Sequence, residues 1–314
     1  MTSQLSIDVQ HLVKKFPSPD TKGELVAVNN ISFTVARGEV FGLLGPNGAG
    51  KTTTLEIIEG LQEPTSGKTL INGLDTHQQR QEVKRIIGIQ LQSSAYYEYL
   101  QLGEILELFG RFYGKKVNVD QLLDIVDLRD KKKALVKQLS GGQAQRFSIC
   151  AALVNDPEIV FLDEPTTGLD PYARRLMWDF IKRVNQQGKT VVLTTHYMEE
   201  AETLCHRVGI MEGGIIAALD TPANLIRQLH SSSRIQFGVE GQIDLDSLKA
   251  ISGVLGVKRN DHGVVTIQVT RGNEVLPSLY KWAEQKHVFM GDLQVISANL
   301  EDVFIEFTGK KLQE

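Results

Sequence analysis

Two patterns of apolar and polar positions alternate along most of the chain. Short, nearly continuous apolar runs at 39–44, 158–162 and 190–195 are typical of strands that are buried on both faces. The segment 51–61, which follows the first run, instead has apolar residues three positions apart, as on one face of a helix. Helical spacers between buried strands predict parallel β-α-β units, so we expect an α/β core.

Two stretches depart from this alternation. From about residue 93 to 155 the pattern is mostly helical, which predicts a helical insert within the core. Toward the end of the chain, strand-like and helix-like segments follow one another over a short length, as in small α+β domains. We therefore predict a core domain at 1–228, which contains the insert, and a small accessory α+β domain at 229–314.

Composition and charge exclude several kinds of protein. The formal net charge is -4 and the isoelectric point is near 6.0, so the chain lacks the basic excess of nucleic-acid-binding domains. Cys150 and Cys205 are too few for a disulfide framework, and their apolar neighbours predict reduced core thiols in a cytosolic protein. The longest apolar run, 149–154, is far shorter than the ~20 residues of a membrane-spanning helix. We expect a chain that has no secretory signal and does not cross a bilayer by itself.

The segment 45–52, GPNGAGKT, fits the pattern G-x-x-x-x-G-K-[ST] at every fixed position and stands between a predicted strand and a predicted helix. Gly45 and Gly50 let backbone amides approach a β-phosphate, and Lys51 neutralises charge on the β- and γ-phosphates. The Thr52 hydroxyl is placed to ligate magnesium. A glycine turn beside a surface lysine is the alternative, but motif and context agree. The predicted phosphate-binding residues are Gly45, Asn47, Gly48, Gly50, Lys51, Thr52 and Thr53.

Two more apolar strands end in residues that suit a phosphate site. Asp163 and Glu164 follow one of them, at the carboxyl edge of the sheet where nucleotide sites form. Asp163 is placed to hold magnesium through water, and Glu164 to orient or deprotonate an attacking water. His196 ends another strand, and we expect it to contact the γ-phosphate and to hold Glu164 and the water in line. Each residue alone could be structural; the phosphate loop favours the functional interpretation.

Two positions stay open on the residues alone. Gln90 and Gln92 both follow an apolar strand pattern, and an amide carbonyl at this junction can ligate magnesium, but spacing does not choose between them. Phe16, at the end of the first strand pattern, is equally consistent with stacking under adenine and with a place in the core.

A second candidate anion cradle lies at 139–143, LSGGQ, where Ser140 and two glycines precede a predicted helix. In their order along the chain, GPNGAGKT, LSGGQ, FLDEP, GLD and the TTH histidine resemble the motifs of nucleotide-binding subunits of ABC transporters, over residues 5–225. This resemblance implies a P-loop NTPase fold of the ABC ATPase type, with a helical subdomain, that hydrolyses ATP with magnesium.

The resemblance also implies roles for single residues. Gln92 is similar in position to the family's Q-loop glutamine, Phe16 to its adenine-stacking aromatic, and Asp170 occupies the D-loop. Two copies would face head to tail, so that the helix N-terminus of one closes over the γ-phosphate held by the other. The residues implied to contact the ATP of the second copy are Ser140, Gly141, Gly142, Gln143 and Asp170.

In such a family, ATP-driven dimerisation powers transport through a separate integral membrane permease. We therefore expect a peripheral protein at the cytoplasmic face of the cell membrane, and we place the permease's coupling helix near Tyr96–Tyr99. The segments TTHYMEEAE and NLEDVFIEFTGKKL are similar to ATP-binding subunits of drug exporters of the daunorubicin-resistance group.

Three other functions stay open: an importer subunit, a soluble ABC-type ATPase that acts on ribosomes or chromosomes, and a non-catalytic binding module. A single cassette and a net acidic charge argue against the second of these. The transported substrate is not specified by this chain.

Overall fold

The computed structural model describes residues 5–18, 23–90, 96–97, 99–229, 231, 233–241, 243–260, 262–270 and 272–309. They fall into two compact units, one that extends to Pro222 and one that begins at Ala223. The predicted division into functional domains at 1–228 and 229–314 stays a prediction. None of the helices in the described ranges combines the length and the apolar composition that a membrane crossing requires.

The strands of the first unit form a parallel and an antiparallel sheet. Their bounds are β1 (Leu5–Pro17), β2 (Glu24–Ala36), β3 (Val40–Leu44), β4 (Ser66–Ile71), β5 (Leu74–Asp75), β6 (Ile87–Gln90), β7 (Ile159–Asp163), β8 (Thr190–Thr195), β9 (Arg207–Glu212) and β10 (Ile215–Asp220).

The central sheet has the order β10-β9-β3-β8-β7-β6, in which β10 alone pairs antiparallel with its neighbour. Every residue of β3, β7 and β8 is buried, which accounts for the apolar run within each of these strands. The predicted α/β fold is therefore confirmed. Because β3, β8 and β7 are adjacent and parallel, their carboxyl ends lie side by side.

The second sheet, β2-β1-β4-β5, is antiparallel and has one face on the same core. The ring of Phe33 in β2 stacks on that of Phe41 in β3, with 5.1 Å between centroids. Other members of this core come from both sheets and from the helix after β3: Ile7, Val9, Leu12, Val35, Leu55, Phe161 and Val192.

Helices up to residue 227 are α1 (Lys51–Ile58), α2 (Arg80–Ile86), α3 (Leu102–Phe112), α4 (Val119–Ile125), α5 (Gly141–Ala152), α6 (Pro171–Gln186), α7 (Met198–Leu204) and α8 (Pro222–Arg227). Helices α3, α4 and α5 pack against one another and form the helical subdomain, as predicted. Cys150 in α5 and Cys205 after α7 are free and buried. Burial raises the pKa of the Cys150 thiol to about 12 and that of Cys205 well above its ordinary value.

The second unit is a small α+β fold, as predicted. Its elements are β11 (Ser233–Gly238), α9 (Leu245–Lys249), β12 (Val254–Arg259), β13 (Val264–Val269), α10 (Gly272–Lys286), β14 (Gly291–Ser297) and α11 (Leu300–Thr308). The antiparallel strand order β12-β13-β11-β14 is that of a split β-α-β arrangement. Ile235, Ile267 and Trp282 contribute to its core.

Candidate functional site

The carboxyl ends of β3, β8 and β7 are joined by hydrogen bonds at one edge of the central sheet. Gly45, directly after β3, donates its N–H to the carbonyl oxygen of Thr195 at 3.3 Å. Glu164, directly after β7, donates its N–H to Thr194 Oγ1 at 3.0 Å and to the Thr194 carbonyl oxygen at 3.2 Å. Three predicted segments that are far apart in sequence therefore meet here.

The loop 45–50 packs closely on the backbone of its neighbours. A Cβ on Gly45 would lie 2.3 Å from the carbonyl oxygen of Met211, and one on Gly50 would lie 2.3 Å from that of Ala27. Gly50 also has a φ of 99°, which side chains disfavour. Glycine is thus required at both positions, and the loop leads into the N-terminus of α1, where amides lack intrahelical partners. The other predicted phosphate-loop residues lie at the outer turn of the loop or in the first turn of α1: Asn47, Gly48 and Thr53.

Lys51 is buried at the base of this loop, with 4% of its side chain exposed. Its Nζ donates to the carbonyl oxygens of Gly45 at 2.8 Å and Pro46 at 3.0 Å, and it lies 3.7 Å from Glu164 Oε1. Burial lowers the pKa of Lys51, while the nearby carboxylates of Glu164 and Asp163 act in the opposite direction. A buried cation so placed favours an anionic ligand in the loop.

Asp163 receives hydroxyl donors from two sides. Thr52 Oγ1 lies 3.3 Å from each carboxylate oxygen of Asp163, and Thr194 Oγ1 donates to Asp163 Oδ1. Carboxylate and hydroxyl oxygens are hard ligands of the kind that Mg²⁺ prefers, and Mg²⁺ usually binds through only one or two carboxylates plus water and phosphate oxygens. Thr52 and Asp163 therefore fit the predicted magnesium site.

Glu164 adopts a left-handed backbone conformation with a φ of 47°, which is uncommon outside glycine and clusters at functional sites. Its Oε2 accepts a hydrogen bond from Thr167 Oγ1 at 3.0 Å and lies 3.4 Å from His196 Nδ1, whose geometry falls outside that of a hydrogen bond. The pKa of Glu164 is lowered to about 2, chiefly by the His196 contact and against the effect of burial. The structure thus brings Glu164, His196 and Lys51 together.

Phe16 and Gln90 make none of the contacts described above within the cluster around Glu164, and Gln92 lies outside the described residues. Phe16 is half-buried at the end of β1, with Lys14 Nζ 4.8 Å from the centre of its ring. Gln90 is the buried last residue of β6 and pairs with Leu162 of β7, at the same sheet edge. Gln92 lies outside the described residues, so the choice between the two glutamines stays a prediction.

The LSGGQ segment begins α5 and caps it. Ser140 Oγ accepts a hydrogen bond from the Gln143 N–H at 3.3 Å, in a capping box. A Cβ on Gly141 would meet nothing within 4 Å, whereas one on Gly142 would lie 3.2 Å from Cβ of Ala173 in α6. The first turn of α5 therefore lies beside that of α6. Asp170 caps α6: its Oδ1 accepts the Ala173 N–H at 2.8 Å.

Sequence reasoning missed Thr194 and Thr167, which hold the two carboxylates. Thr194 bonds to Asp163 through its hydroxyl and also accepts the Glu164 N–H, and Thr167 donates to Glu164. A signal was available for Thr194, because it is one of two hydroxyl residues at the carboxyl end of a strand whose centre is apolar.

A further buried carboxyl, that of Glu59, stands at the end of α1 with 2% of the residue exposed. Burial, followed by the nearby carboxylates of Asp163 and Glu56, raises its pKa to about 8. Glu59 therefore keeps a proton at neutral pH in the folded protein and loses it in the unfolded chain. The folded state is penalised as the pH rises from about 4.5 toward 8, because ionisation then favours unfolding.

We expect Glu59→Gln to raise the free energy of unfolding by about 5 kcal/mol at pH 8.5 and by only about 1.4 kcal/mol at pH 5.5, because one pKa unit corresponds to about 1.4 kcal/mol and the pKa rises from 4.5 to about 8. Urea unfolding of nucleotide-free protein in EDTA at the two pH values measures this. Glu63→Gln, at an exposed position four residues on, is the matched control. An equal gain at both pH values would contradict the assigned protonation state.

Comparison with known proteins places this geometry in context. Residues 28–167 match the family model described as ABC transporter. The chain is 36% identical over 300 residues to the linearmycin resistance ATP-binding protein LnrL of Bacillus subtilis (strain 168), covering 93% of this chain and 96% of that protein. It is 37% identical over 300 residues to the Nod factor export ATP-binding protein I of Paraburkholderia xenovorans (strain LB400), covering 93% and 95%.

Solved structures match between 68% and 71% of this chain in fold. The structure of an ATP binding subunit of an ABC transporter has a TM-score of 0.62 and 28% identity, and covers 71% of this chain and 92% of that one. The dimeric, post-hydrolysis structure of the ATP-binding cassette MJ0796 with ADP and Pi has a TM-score of 0.62 and 27% identity, and covers 68% and 98%.

Proposed function

We propose that this chain powers export through a separate membrane permease. The premise is that it belongs to the ABC transporter family, as an ATP-binding subunit and ATPase. Relatives named for linearmycin resistance and for Nod factor export support an exporter. The daunorubicin-resistance group, which the C-terminal ending resembles, is a narrower assignment within this proposal. The observation on which the proposed power source, ATP hydrolysis, depends is the cluster of Lys51, Glu164 and His196 at the sheet edge, beside Asp163.

Each residue of this cluster has a task that its surroundings favour. Lys51 binds the β- and γ-phosphates, since a phosphate is a stronger partner for its buried ammonium than the loop carbonyls that it now contacts. Glu164 is ionised at neutral pH and accepts a hydrogen bond from the attacking water, which it orients or deprotonates. His196 contacts the γ-phosphate and keeps Glu164 in line.

The remaining ligands complete the substrate site. Thr52 and Asp163 would hold magnesium, with Gln92 or Gln90 as a further ligand. The ion would neutralise charge on the phosphate oxygens. Phe16 stacks on adenine after Lys14 leaves the face of its ring.

The opposite half of each site comes from a second copy in this proposal. The first turn of α5 is exposed at Ser140 and Gly141, its own capping is complete, and open space surrounds Gly141. A helix N-terminus of this kind attracts an anion. The γ-phosphate held by the phosphate loop of the second copy is the anion that we assign to it, with Gln143 and Asp170 beside it.

The helical subdomain offers a surface for the permease. Exposed aromatic side chains lie on it, among them Tyr99 with 83% and Phe112 with 68% of the residue exposed. Tyr96 contacts Phe109 and Phe147, so the base of this surface is anchored in the subdomain. We assign the permease's coupling helix to this patch, which would hold the protein peripherally at the cytoplasmic face of the membrane.

A mixing experiment with two inactive variants tests the shared site. Gly141→Asp places a carboxylate where the structure has open space, and an acidic residue in a helix's first turn adds about 0.5 kcal/mol of stability. This variant should fold yet repel the γ-phosphate of the second copy. Lys51→Ala should be inactive for a different reason. Mixed in equal amounts, they should regain about a quarter of the wild-type rate, because half of the dimers contain one intact site.

The control mixes Lys51→Ala with the double variant Lys51→Ala, Gly141→Asp, a pair in which no intact site can form. ATP hydrolysis is measured as phosphate release. If the first mixture is no more active than its two components, the sites are not shared between copies.

A further inference from the structure

A buried carboxylate that the proposed chemistry does not use lies beneath the site. Glu200, in α7, is 0% exposed, and its Oε1 accepts a hydrogen bond from Trp178 Nε1 of α6 at 3.0 Å. Burial raises the pKa of Glu200, while the nearby hydroxyls of Thr195 and Thr166, the Trp178 N–H and the charge of Arg174 act in the opposite direction. The carboxylate is thus surrounded by donors from three separate segments.

Two of these segments carry the proposed chemistry. Thr166 follows Glu164 by two residues, and Thr195 immediately precedes His196. Thr195 Oγ1 also accepts the Tyr197 N–H at 2.9 Å, which closes a turn around His196. The Thr195 hydroxyl uses a lone pair in that bond and keeps its own proton, which is available to the nearby Glu200 carboxyl group. One buried carboxyl group therefore lies against the loop after β7 and the last residue of β8.

A series of contacts between charged and aromatic side chains connects the start of α6 to His196. The guanidinium of Arg174 lies 4.4 Å from the centre of the Tyr197 ring, and that ring lies 4.1 Å from the ring of His196. The backbone N–H of Arg174 donates to the Asp170 carbonyl oxygen at 2.9 Å. Asp170, which caps α6, is therefore one helical turn before Arg174, and Arg174 contacts Tyr197, the residue after His196.

The cluster is not fully satisfied as it stands. Within the described ranges, Glu200 Oε2, Thr166 Oγ1 and Arg174 Nε are all buried without a hydrogen bond of good geometry. Unsatisfied polar atoms in a dry interior are costly, so a small shift that pairs them is favourable. Such a shift would move the loop after β7 and the first turns of α6 relative to α7, and so change the position of Glu164, which follows β7, relative to His196, which precedes α7.

We propose that Glu200 is a positioning residue that transmits a contact made at Asp170 by the second copy to Glu164 and His196. The proposal rests on the proposed function, since it needs a dimer in which Asp170 meets the other copy. Contact at Asp170 presses the first turn of α6 and Thr166 onto the Glu200 carboxylate. The pairing then fixes Thr195, and so His196, in the arrangement that supports hydrolysis.

The test compares steady-state hydrolysis and ATP binding in wild type and in Glu200→Gln. The amide keeps the size of the side chain and an acceptor for Trp178, but it replaces the second acceptor oxygen with an NH2 group, which cannot accept from the hydroxyls of Thr166 and Thr195. We expect kcat to fall about tenfold while KM and the dissociation constant for ATP stay within about twofold. Glu199→Gln, an exposed position on the same helix, is the matched control and should behave as wild type.

A double-variant cycle separates positioning from mere stability. Asp170→Ala should lower kcat in the wild-type background and have little further effect in Glu200→Gln, because the two residues act in one chain of contacts. Thr166→Val removes one donor at constant volume and should repeat the result if Glu200→Gln folds poorly. Unchanged kcat, additive losses, or a loss of unfolding temperature with full activity per folded molecule would each overturn the proposal.

Wild type and Lys51→Ala are assayed alongside. If wild type shows no hydrolysis that depends on Lys51, the proposed function fails and this proposal fails with it. If wild type hydrolyses ATP and Glu200→Gln matches it, only the role of Glu200 is wrong.

Discussion

Glu164→Gln is expected to lower the rate of ATP hydrolysis by about a hundredfold or more and to convert the protein into an ATP-stabilised dimer. The amide keeps the shape of Glu164 but cannot accept a proton from water, and it no longer repels the γ-phosphate. ATP then stays bound between two copies. Phosphate release measures the first effect, and size-exclusion chromatography with ATP and magnesium measures the second.

Although Glu164→Gln should stabilise the ATP-bound dimer, it should lower the folding stability of the nucleotide-free protein. The lowered pKa of Glu164, about 2, stabilises the folded state above pH 4.5, and this contribution is lost as the pH falls from 4.5 to 2. Glu164→Gln should therefore lower the unfolding temperature of nucleotide-free protein at neutral pH. Glu158→Gln, an exposed position just before the same strand, is the control. A variant that stays monomeric with ATP would argue against the shared site.

Lys51→Ala should reduce both ATP affinity and turnover, the latter by about a hundredfold. Two losses combine: the phosphates lose their cation, and Glu164 loses the ion partner that now lies 3.7 Å away. Because the substitution acts on binding, raising the ATP concentration should restore part of the rate. Fluorescent nucleotide titration and phosphate release measure the two effects.

The control for Lys51→Ala is Lys68→Ala, which removes an equal charge from an exposed position in β4. A Lys51→Ala variant that retains more than about a tenth of wild-type turnover at saturating ATP would contradict the assigned role.

The fold and the position of the phosphate loop were predictable because short-range patterns determine them. Continuous apolar runs in β3, β7 and β8 follow from burial on both faces of a parallel sheet. Gly45 and Gly50 stand where a Cβ would strike backbone oxygen, so a local motif reports a close approach that no other residue permits. The roles of the site residues stay predictions.

Side chains whose partners are remote in sequence could not be predicted in the same way. Thr194 meets Asp163 across two strands, and Glu200 meets Trp178 across two helices. Neither pairing can be predicted from the periodicity of apolar and polar positions in the sequence. The raised pKa of Glu59 likewise depends on the distance to Asp163, which only the folded sheet determines. The alternatives Gln90 and Gln92 differ by two positions on one strand pattern, and spacing alone cannot separate them.

The two cysteines decide how motion in this protein can be followed. Both thiols are enclosed and hold their protons tightly, so maleimide reagents, which need an exposed thiolate, have no target in the native chain. A cysteine introduced at an exposed surface position would then carry a fluorophore or spin label without any change to Cys150 or Cys205. Distances between such labels on two copies would report the approach and separation of the subunits during turnover.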